Sequence, residues 1–314
     1  HDTPKAWPST AVSSWLNGGL FGVPFVYAEA AYFAGGAYPP LDTVDKFAFS
    51  DDGRSTLAIG LSAGRRYASG AANSGVAAYF AGGSEVTFVA TVDKFTFSDD
   101  ARTTLGTGLS SARSYAGGAA NSGVAAYFAG GESPLVTTVD KFAFPGDGRS
   151  TLGTGLSTAT SALAGAANSG TAAYFAGGSA GGGAATVDKF AFSDDSRTTL
   201  GTGLSAARFG LAGAANSGTA AYFAGGYATL TTVDKFAFSG DSRTTLGTGL
   251  SAGRWGLAGA ANSGTAAYFA GGSAGGAVTT VDKFAFSDDS RTTLGTGLSS
   301  ARNDIAGAAN SGTL

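Results

Sequence analysis

The chain has no cysteine, no methionine and a single histidine, His1, among its 314 residues. Without cysteine it can form no disulfide bond, no thiolate nucleophile and no sulfur ligand for a metal. Charged residues make up only 13% of the chain, well below the ~25% of an average soluble domain. With a net charge of −3 and no basic cluster with interleaved aromatic residues, the sequence gives no reason to expect a nucleic-acid partner.

Targeting signals are also scarce. No apolar run approaches the ~18 residues of a membrane-spanning helix, so we expect no membrane span. The chain begins with His1 rather than Met, which indicates a processed product or a fragment, and a secretory signal cleaved before His1 fits this beginning. We therefore expect an extracellular protein, or one on the surface of a virion or cell.

What the chain has in abundance is repetition. The tetrad Val-Asp-Lys-Phe recurs six times at intervals of 46 to 48 residues, beginning at Val44, Val92, Val139, Val187, Val233 and Val281. The tetrad Tyr-Phe-Ala-Gly recurs as often, beginning at Tyr32, Tyr79, Tyr127, Tyr174, Tyr222 and Tyr268. Such periods are typical of an array of supersecondary units that bury their apolar faces against one another.

Each unit contains four short strand candidates separated by turn residues. In the fifth unit the predicted strands are Leu211–Asn216, Ala220–Ala224, Thr232–Ser239 and Thr244–Leu250. The first strand is rich in Ala and Gly, which permit close approach around an axis, whereas bulky Phe residues on the third strand fill the space where blades diverge. The sequence predicts an all-β fold, a six-bladed β-propeller of four-stranded antiparallel blades.

Ring closure would remove the unpaired edges of an open array. A first-strand sequence occurs once more after the sixth unit, at Ile305–Ser311. We expect this C-terminal strand to pair beside Ala30–Ala34; in the alternative, Phe21–Tyr27 occupies that place. The predicted propeller covers residues 30–314, and residues 1–29 form either degenerate strands or an arm that tethers the disc to a particle or to other copies.

The order of a small strand, Tyr-Phe-Ala-Gly-Gly, a variable loop, Val-Asp-Lys-Phe-Ala-Phe, a turn, a fourth strand and then Arg resembles kelch repeats. Leu residues such as Leu57 lie near the place of the usual kelch Trp. The resemblance implies a propeller that acts as a binding scaffold, although a minority of kelch propellers are enzymes. Near-identical copies are also similar to repeats of viral tail or surface proteins and of bacterial surface proteins.

One charged residue of every third strand is predicted to lie between blades, where a buried carboxylate needs a partner. These residues are Asp45, Asp93, Asp140, Asp188, Asp234 and Asp282. We expect Arg or Lys to pair with them, the Arg candidates being Arg65, Arg113, Arg208, Arg254 and Arg302. The third unit has Thr160 instead of Arg, so we expect its Asp140 to pair with Lys141 or a neighbour.

Paired Asp residues occupy the turn before several fourth strands, as at Asp51 and Asp52. Two adjacent carboxylates supply too few oxygens for Ca²⁺, so we expect them to cap their own turns. The stretch Ser50–Thr56 resembles the Asp-box of sialidase-type propellers, with the Gly displaced by one position and Leu57 replacing the terminal aromatic residue. This resemblance implies a turn-stabilising device rather than hydrolysis.

Enzyme constellations are few. A copper oxidase on this fold would need His ligands and a Cys–Tyr crosslink, and serine–histidine catalysis has no usable His. A sialidase-like site needs an arginine cluster, a Tyr nucleophile and an acidic partner, but the only Glu residues are Glu29, Glu85 and Glu132, and Arg follows the repeat. We predict no enzyme activity, no cofactor and no metal site.

The copies differ in two connections, between the second and third strands and after the fourth strand, and both should emerge on one face of the disc. This face offers aromatic residues that suit stacking on sugars or packing against a protein, namely Tyr38, Tyr67, Phe88, Tyr115, Phe209, Tyr227 and Trp255. In the alternative, the rings fill gaps between blades and the loops vary neutrally.

The sequence therefore predicts a non-catalytic binding or structural propeller that engages a glycan or protein ligand through the variable-loop face. The alternative is a glycan-processing enzyme such as a sialidase-like hydrolase. Converging, unpaired Arg and acidic side chains at the axis would favour the enzyme, and an axis lined only by Ala, Ser and Asn would favour the scaffold.

Overall fold

The structure, a computed structural model, describes residues 29–311 and arranges them as six four-stranded antiparallel sheets. Each sheet is one blade of a β-propeller, and the innermost strands of successive blades contact one another around a central axis. This confirms the predicted fold class. The described residues contain no helix long and apolar enough to cross a membrane.

The blades are numbered along the chain, and each is given from the axis outwards. Blade 1 consists of β24 (Ala306–Asn310), β1 (Ala30–Ala34), β2 (Val44–Ala48) and β3 (Arg54–Thr56). Blade 2 consists of β4 (Ser69–Asn73), β5 (Ala77–Ala81), β6 (Val92–Thr96) and β7 (Arg102–Thr104). Blade 3 consists of β8 (Gly117–Asn121), β9 (Ala125–Ala129), β10 (Val139–Ala143) and β11 (Gly148–Thr151). Blade 4 consists of β12 (Ala164–Asn168), β13 (Ala172–Ala176), β14 (Val187–Ala191) and β15 (Arg197–Thr199). Blade 5 consists of β16 (Ala212–Asn216), β17 (Ala220–Ala224), β18 (Val233–Ala237) and β19 (Ser242–Thr245). Blade 6 consists of β20 (Ala258–Asn262), β21 (Ala266–Ala270), β22 (Val281–Ala285) and β23 (Arg291–Thr293).

The C-terminal strand closes the ring. β24 pairs antiparallel with β1, so that Ala306 lies opposite Ala34 and Asn310 opposite Ala30. The prediction of a closing strand is confirmed. The alternative strand Phe21–Tyr27, and the predicted arm except for Glu29, lie outside the described residues.

The innermost strands approach so closely that one position tolerates only glycine. A Cβ atom at Gly213 would collide with the carbonyl oxygen of Gly165 in the preceding blade, and the same collision would occur at every equivalent position. These positions are Gly70, Gly118, Gly165, Gly213, Gly259 and Gly307. The crowding explains why the first strand of each unit is built from Ala and Gly.

Aromatic side chains fill the space between blades. Tyr222 of blade 5 packs against Phe286 of blade 6 with ring centroids 5.1 Å apart, and Phe269 meets Phe284 edge-on at 5.8 Å. Equivalent buried clusters occur at each of the other five junctions. Because each cluster draws residues from two blades, no blade completes its core alone.

The fourth strands are shorter than the sequence predicts. β19 ends at Thr245, although the apolar pattern continues to Leu250. Beyond β19 the chain leaves the sheet edge, and Leu250 packs into the core with 3% of its surface exposed while its N–H donates to Thr231 O at 2.8 Å. The Gly residues within this stretch offer no side chains for a strand face to pack.

Arginine–aspartate pairs join five of the six junctions, as predicted. Arg65, which follows β3, places Nη2 2.9 Å from Asp93 of blade 2, and both side chains are fully buried. The other four pairs are Arg113–Asp140, Arg208–Asp234, Arg254–Asp282 and Arg302–Asp45, at 2.8–3.0 Å. Burial raises the pKa of Asp93, but the Arg65 charge and hydrogen bonds from Thr104 and Ser62 outweigh it and hold that pKa below its ordinary value.

The predicted pairing of Asp140 with Lys141 is wrong. Asp140 pairs with Arg113 of the preceding unit, whereas Lys141 pairs with Asp195 at 2.7 Å. An Arg after the fourth strand reaches the Asp of the following blade, so the substitution at Thr160 affects Asp188 instead.

The acidic turns cap their own backbone, as the sequence predicts, and they also bind side chains of the neighbouring blade, which the sequence does not predict. Asp51 Oδ1 accepts the N–H of Gly53 at 2.8 Å, which confirms the turn cap. Asp52, the second carboxylate, accepts Lys283 Nζ at 2.8 Å and the Tyr268 hydroxyl at 2.7 Å from the neighbouring blade. The same Tyr-Lys-Asp contact recurs at all six junctions.

Candidate functional site

The two variable connections meet at one end of the propeller. Short bridges pair Arg66, after the fourth strand of blade 1, with Ser84, after the second strand of blade 2. Trp255 and Ser273 make the same bridge between blades 5 and 6. We call this end the variable-loop face.

The opposite end is fixed by side chains. In the repeated Asn-Ser-Gly turns, the Ser122 N–H donates to Ser169 Oγ at 3.1 Å, and the Gly170 N–H donates to Asn121 Oδ1 at 2.8 Å. Equivalent bonds link the other turns around the axis. These side chains hold the blades together, which explains why the turn sequence does not vary.

A ring of backbone hydrogen bonds surrounds the axis on the variable-loop face. One residue after each fourth strand donates its N–H to the carbonyl oxygen of the equivalent residue in the preceding unit, at 2.6–2.9 Å, and the sixth bond closes the circle. We call this set the axial ring, and in order it consists of Tyr67, Tyr115, Ala162, Gly210, Gly256 and Asp304. All six have φ between 54° and 67°, so the ring needs a left-handed backbone but no particular side chain.

The axial ring is unequal on its two sides. Asp304, Tyr67 and Tyr115 are consecutive and carry functional groups, whereas Ala162, Gly210 and Gly256 fill the other half with small residues. A cavity of about 110 Å³ lies within the ring. It therefore combines a polar, aromatic wall with an open side made of backbone.

Asp304 lowers the stability of the fold, because it places a carboxylate in a buried position. It is only 5% exposed, and its Oδ2 accepts Asn303 Nδ2 at 2.7 Å. Its Oδ1 is buried and makes no hydrogen bond within the described residues, and it lies 2.6 Å from where a Cβ of Gly256 would stand. Burial raises the pKa of Asp304 to about 7, although the Arg66 charge and the Tyr67 hydroxyl act in the opposite direction.

Beside Asp304 lies a tyrosine cluster, made of Tyr38, Tyr67 and Tyr115. The rings of Tyr67 and Tyr115 stack with centroids 3.8 Å apart, and the hydroxyls of Tyr38 and Tyr67 lie 3.3 Å apart. The Arg66 guanidinium lies over the rings of Tyr38 and Tyr67, at 4.3 and 4.8 Å. Burial raises the pKa of Tyr67 to about 12 and raises the pKa of Tyr115 above its ordinary value, so these two phenols carry their protons at neutral pH.

A second aromatic cluster lies behind the small half of the axial ring. Phe209 stacks on Tyr227 with centroids 4.7 Å apart, and Tyr227 meets Trp255 edge-on at 6.1 Å. Tyr227 is 54% exposed. Of the seven predicted aromatic residues, six thus fall into two clusters, and Phe88 lies in a separate loop where it bridges to Ser84.

Three residues that line or adjoin the cavity were not among the predicted site residues. Arg66, Asn303 and Asp304 occur at positions that differ between copies, and that variation is the one signal that marks them. Two nitrogens of Arg66, Nε and Nη1, are buried without a hydrogen-bond partner in the described part of the chain. The polar groups of Arg66, Asn303 and Asp304 therefore define the cavity together with the aromatic rings.

The arrangement suits hydrogen bonding and stacking. A free carboxylate oxygen accepts hydroxyl or amide protons, and tyrosine rings offer flat apolar faces with polar rims. Within residues 29–311 there is no group of three or more His, Asp or Glu residues that could hold a metal ion.

Comparison of the sequence with protein-family models and with curated proteins finds no match. The assignment of the chain to the six-bladed β-propellers therefore depends on its repeat and on the blade topology alone.

Proposed function

We propose that the protein is a non-catalytic binding module that captures a glycan on its variable-loop face, with the axial cavity as the central subsite. The observation that carries the proposal is Asp304, a buried carboxylate that lines the cavity and whose Oδ1 has no hydrogen-bond partner in the described part of the chain. Such a group costs stability unless something hydrogen-bonds to it. The repeat does not require it, since the other five axial-ring positions hold uncharged residues.

The chemistry of the surroundings favours a sugar as the ligand. Vicinal hydroxyls are donors of the kind that a lone carboxylate oxygen accepts, and the exposed ring of Tyr38 (72% exposed) offers a stacking surface beside the cavity. The second aromatic cluster lies on the same face and extends it for further sugar residues. The proposed setting is extracellular, or the surface of a virion or cell, where the resemblance to kelch and surface-protein repeats also points.

A glycan array probed with the labelled protein tests this proposal. We expect wild-type protein to retain one glycan class, and we expect Asp304→Asn and Tyr115→Ala each to lower the affinity at least tenfold. Val86→Ala, in a loop of the same face and 99% exposed, is the control and should bind as the wild type does. An array without signal, or Asp304→Asn binding unchanged, would contradict the proposal, and capture of a polypeptide instead would reassign the ligand.

One observation favours a second candidate, a glycan hydrolase. Asp304, with a pKa near 7, is suited to general acid–base work, and Tyr67 and Arg66 lie beside it. A single Arg does not form the arginine cluster that a sialidase-like site needs. Incubating the retained glycans with the protein and measuring chain length by mass spectrometry separates the two functions. Products that Asp304→Asn no longer forms would favour the hydrolase.

A further inference from the structure

The buried Arg–Asp pairs share one set of acceptors at five junctions. At the first, Arg65 donates to Phe80 O at 3.1 Å, to Ser62 Oγ at 3.3 Å and to Asp93 at 2.9 Å. The other four Arg residues also donate to the carbonyl oxygen of a Phe, at 2.9–3.2 Å. Each guanidinium thus occupies a site built from a carbonyl, a carboxylate and, at several junctions, a serine hydroxyl.

The junction between blades 3 and 4 keeps the acceptors but lacks the guanidinium. By the repeat, Ser157, Phe175 and Asp188 stand where Ser62, Phe80 and Asp93 stand at the first junction. Asp188 is only 4% exposed. It retains hydrogen bonds from Thr199 and Ser157 and the 3.8 Å contact with Arg197 of its own blade, but it has no Arg from the preceding blade.

Thr160 stands in place of the Arg and does not fill its volume. A cavity of about 220 Å³ remains, lined by Thr160, Asp188, Ser157 and Phe175. Thr160 is 7% exposed, and its Oγ1 has no hydrogen-bond partner within the described residues. The cavity therefore contains a buried carboxylate and a buried, unpartnered hydroxyl.

The cavity is reachable from solvent. Its lining includes the exposed residues Thr158 and Ala180 as well as the buried side chains of Leu156 and Leu163. An apolar wall beside a polar end matches an alkylguanidinium, whose stem packs against hydrocarbon while its head makes planar hydrogen bonds.

We propose that this cavity is a binding site for a guanidinium group supplied from outside the repeat, either as a free small molecule or as an arginine side chain of a partner. The group would donate to Asp188, to Phe175 O and to Ser157, as the built-in Arg does at the other junctions. This proposal is independent of the glycan site, because it concerns a different cavity and different residues.

Thermal unfolding of the full chain at constant ionic strength tests the proposal. Guanidinium chloride, agmatine and an Arg-containing tripeptide, each at about 10 mM, should raise the Tm of the wild type by about 1–3 °C relative to NaCl. A rise with guanidinium and agmatine alone would indicate a small molecule, and an equal rise with the tripeptide would indicate a partner's side chain. No rise with any of the three would overturn the proposal.

Thr160→Arg is the matched variant, because it rebuilds the pair that the other junctions have. Its Tm in NaCl should exceed that of the wild type, and its response to the three compounds should be lost. If this variant does not fold, Thr160→Lys provides the same block, and calorimetric titration of wild-type protein with agmatine provides a direct measure. A response that persists in a folded filled-cavity variant would show that binding occurs elsewhere and would contradict the proposal.

Discussion

At the scale of single residues, the molecule departs from its own repeat at two buried places. Asp304 puts a carboxylate where the other units have an uncharged residue, and Thr160 removes a guanidinium that five junctions have. Both departures leave a buried polar oxygen without a hydrogen bond inside the described chain. A fold of near-identical units provides the reference against which such exceptions stand out.

The first departure predicts a pH dependence of stability. The pKa of Asp304 is about 7 in the folded protein, against an ordinary value of 3.8, so the folded state holds this proton more tightly than the unfolded state. The contribution of Asp304 to stability therefore falls as pH rises from about 4 to about 7 and is constant above that range. Asp304→Asn removes this loss, which amounts to at most about 4 kcal/mol.

Denaturant unfolding of wild type and Asp304→Asn at several pH values gives the measurement. The variant should match the wild type near pH 4 and become progressively more stable up to pH 7. The pKa values of Asp93, Asp140 and Asp234 lie below the ordinary value, so their protonation in acid destabilises both proteins. Because this loss is the same in both, it cancels in the difference between their free energies of unfolding. A difference that does not change with pH would show that burial of Asp304 is not costly.

Neither exception could be interpreted correctly from the sequence. The sequence shows Thr160 in place of Arg, but which Asp loses its partner depends on how one blade meets the next. The affected residue is Asp188, whereas the sequence led us to expect a changed partner for Asp140. Asp304 follows Asn303 in a variable pair, and nothing in the order of residues says that a loop carboxylate turns inward. Burial of a loop side chain is a property of the assembled ring.

At the scale of elements, the innermost strands are limited by backbone contact. Gly213 can be replaced by no residue with a Cβ unless its neighbour moves, because the obstacle is a carbonyl oxygen of Gly165 rather than a flexible side chain. Gly247, after β19, has nothing within 4 Å of where its Cβ would stand. The two positions form a matched pair.

We expect Gly213→Ala to destabilise the protein by about 1–3 kcal/mol or more, since overpacking forces the backbone to shift. Gly247→Ala should change stability little. Denaturant unfolding of both variants under the same conditions makes the comparison. Equal free energies of unfolding for the two variants would mean that the innermost strands can move apart at the axis without loss of stability.

The elements were largely predictable. Small residues in the first strand and Phe in the third strand correctly indicated which strand lies next to the axis. β17 begins and ends at the residues predicted for it. The fourth strand was predicted too long because Leu246 and Leu250 continue an alternating pattern, yet they pack on the core from outside the sheet. Alternation alone does not distinguish a strand from a loop that buries alternate residues.

At the scale of the whole molecule, closure depends on a strand that is far from its partner in the sequence. Ala306 of β24 lies opposite Ala34 of β1, 272 positions before it. Arg302, just before β24, adds a buried pair with Asp45 of blade 1. Without β24, blade 1 would lose its inner strand, and the hydrogen bonds that link the Asn-Ser-Gly turns around the axis would be interrupted at Asn310.

Deleting residues 305–314 should therefore destabilise the entire propeller, not only blade 1. We expect a large fall in Tm, or failure to purify folded protein, measured by calorimetry and near-ultraviolet circular dichroism. Deleting only residues 312–314 leaves β24 whole and should have little effect. A full-length-like transition in the larger deletion would refute closure through this strand.

The hydrogen bonds of the axial ring stabilise the propeller without depending on which side chains surround the axis. Because its bonds run from main chain to main chain, the axial-ring positions other than Gly256 can accept different side chains without loss of those bonds. A side chain at Gly256 would collide with Asp304. A library of variants at the other axial-ring positions, selected against chosen targets, would therefore sample different binding specificities on the same backbone.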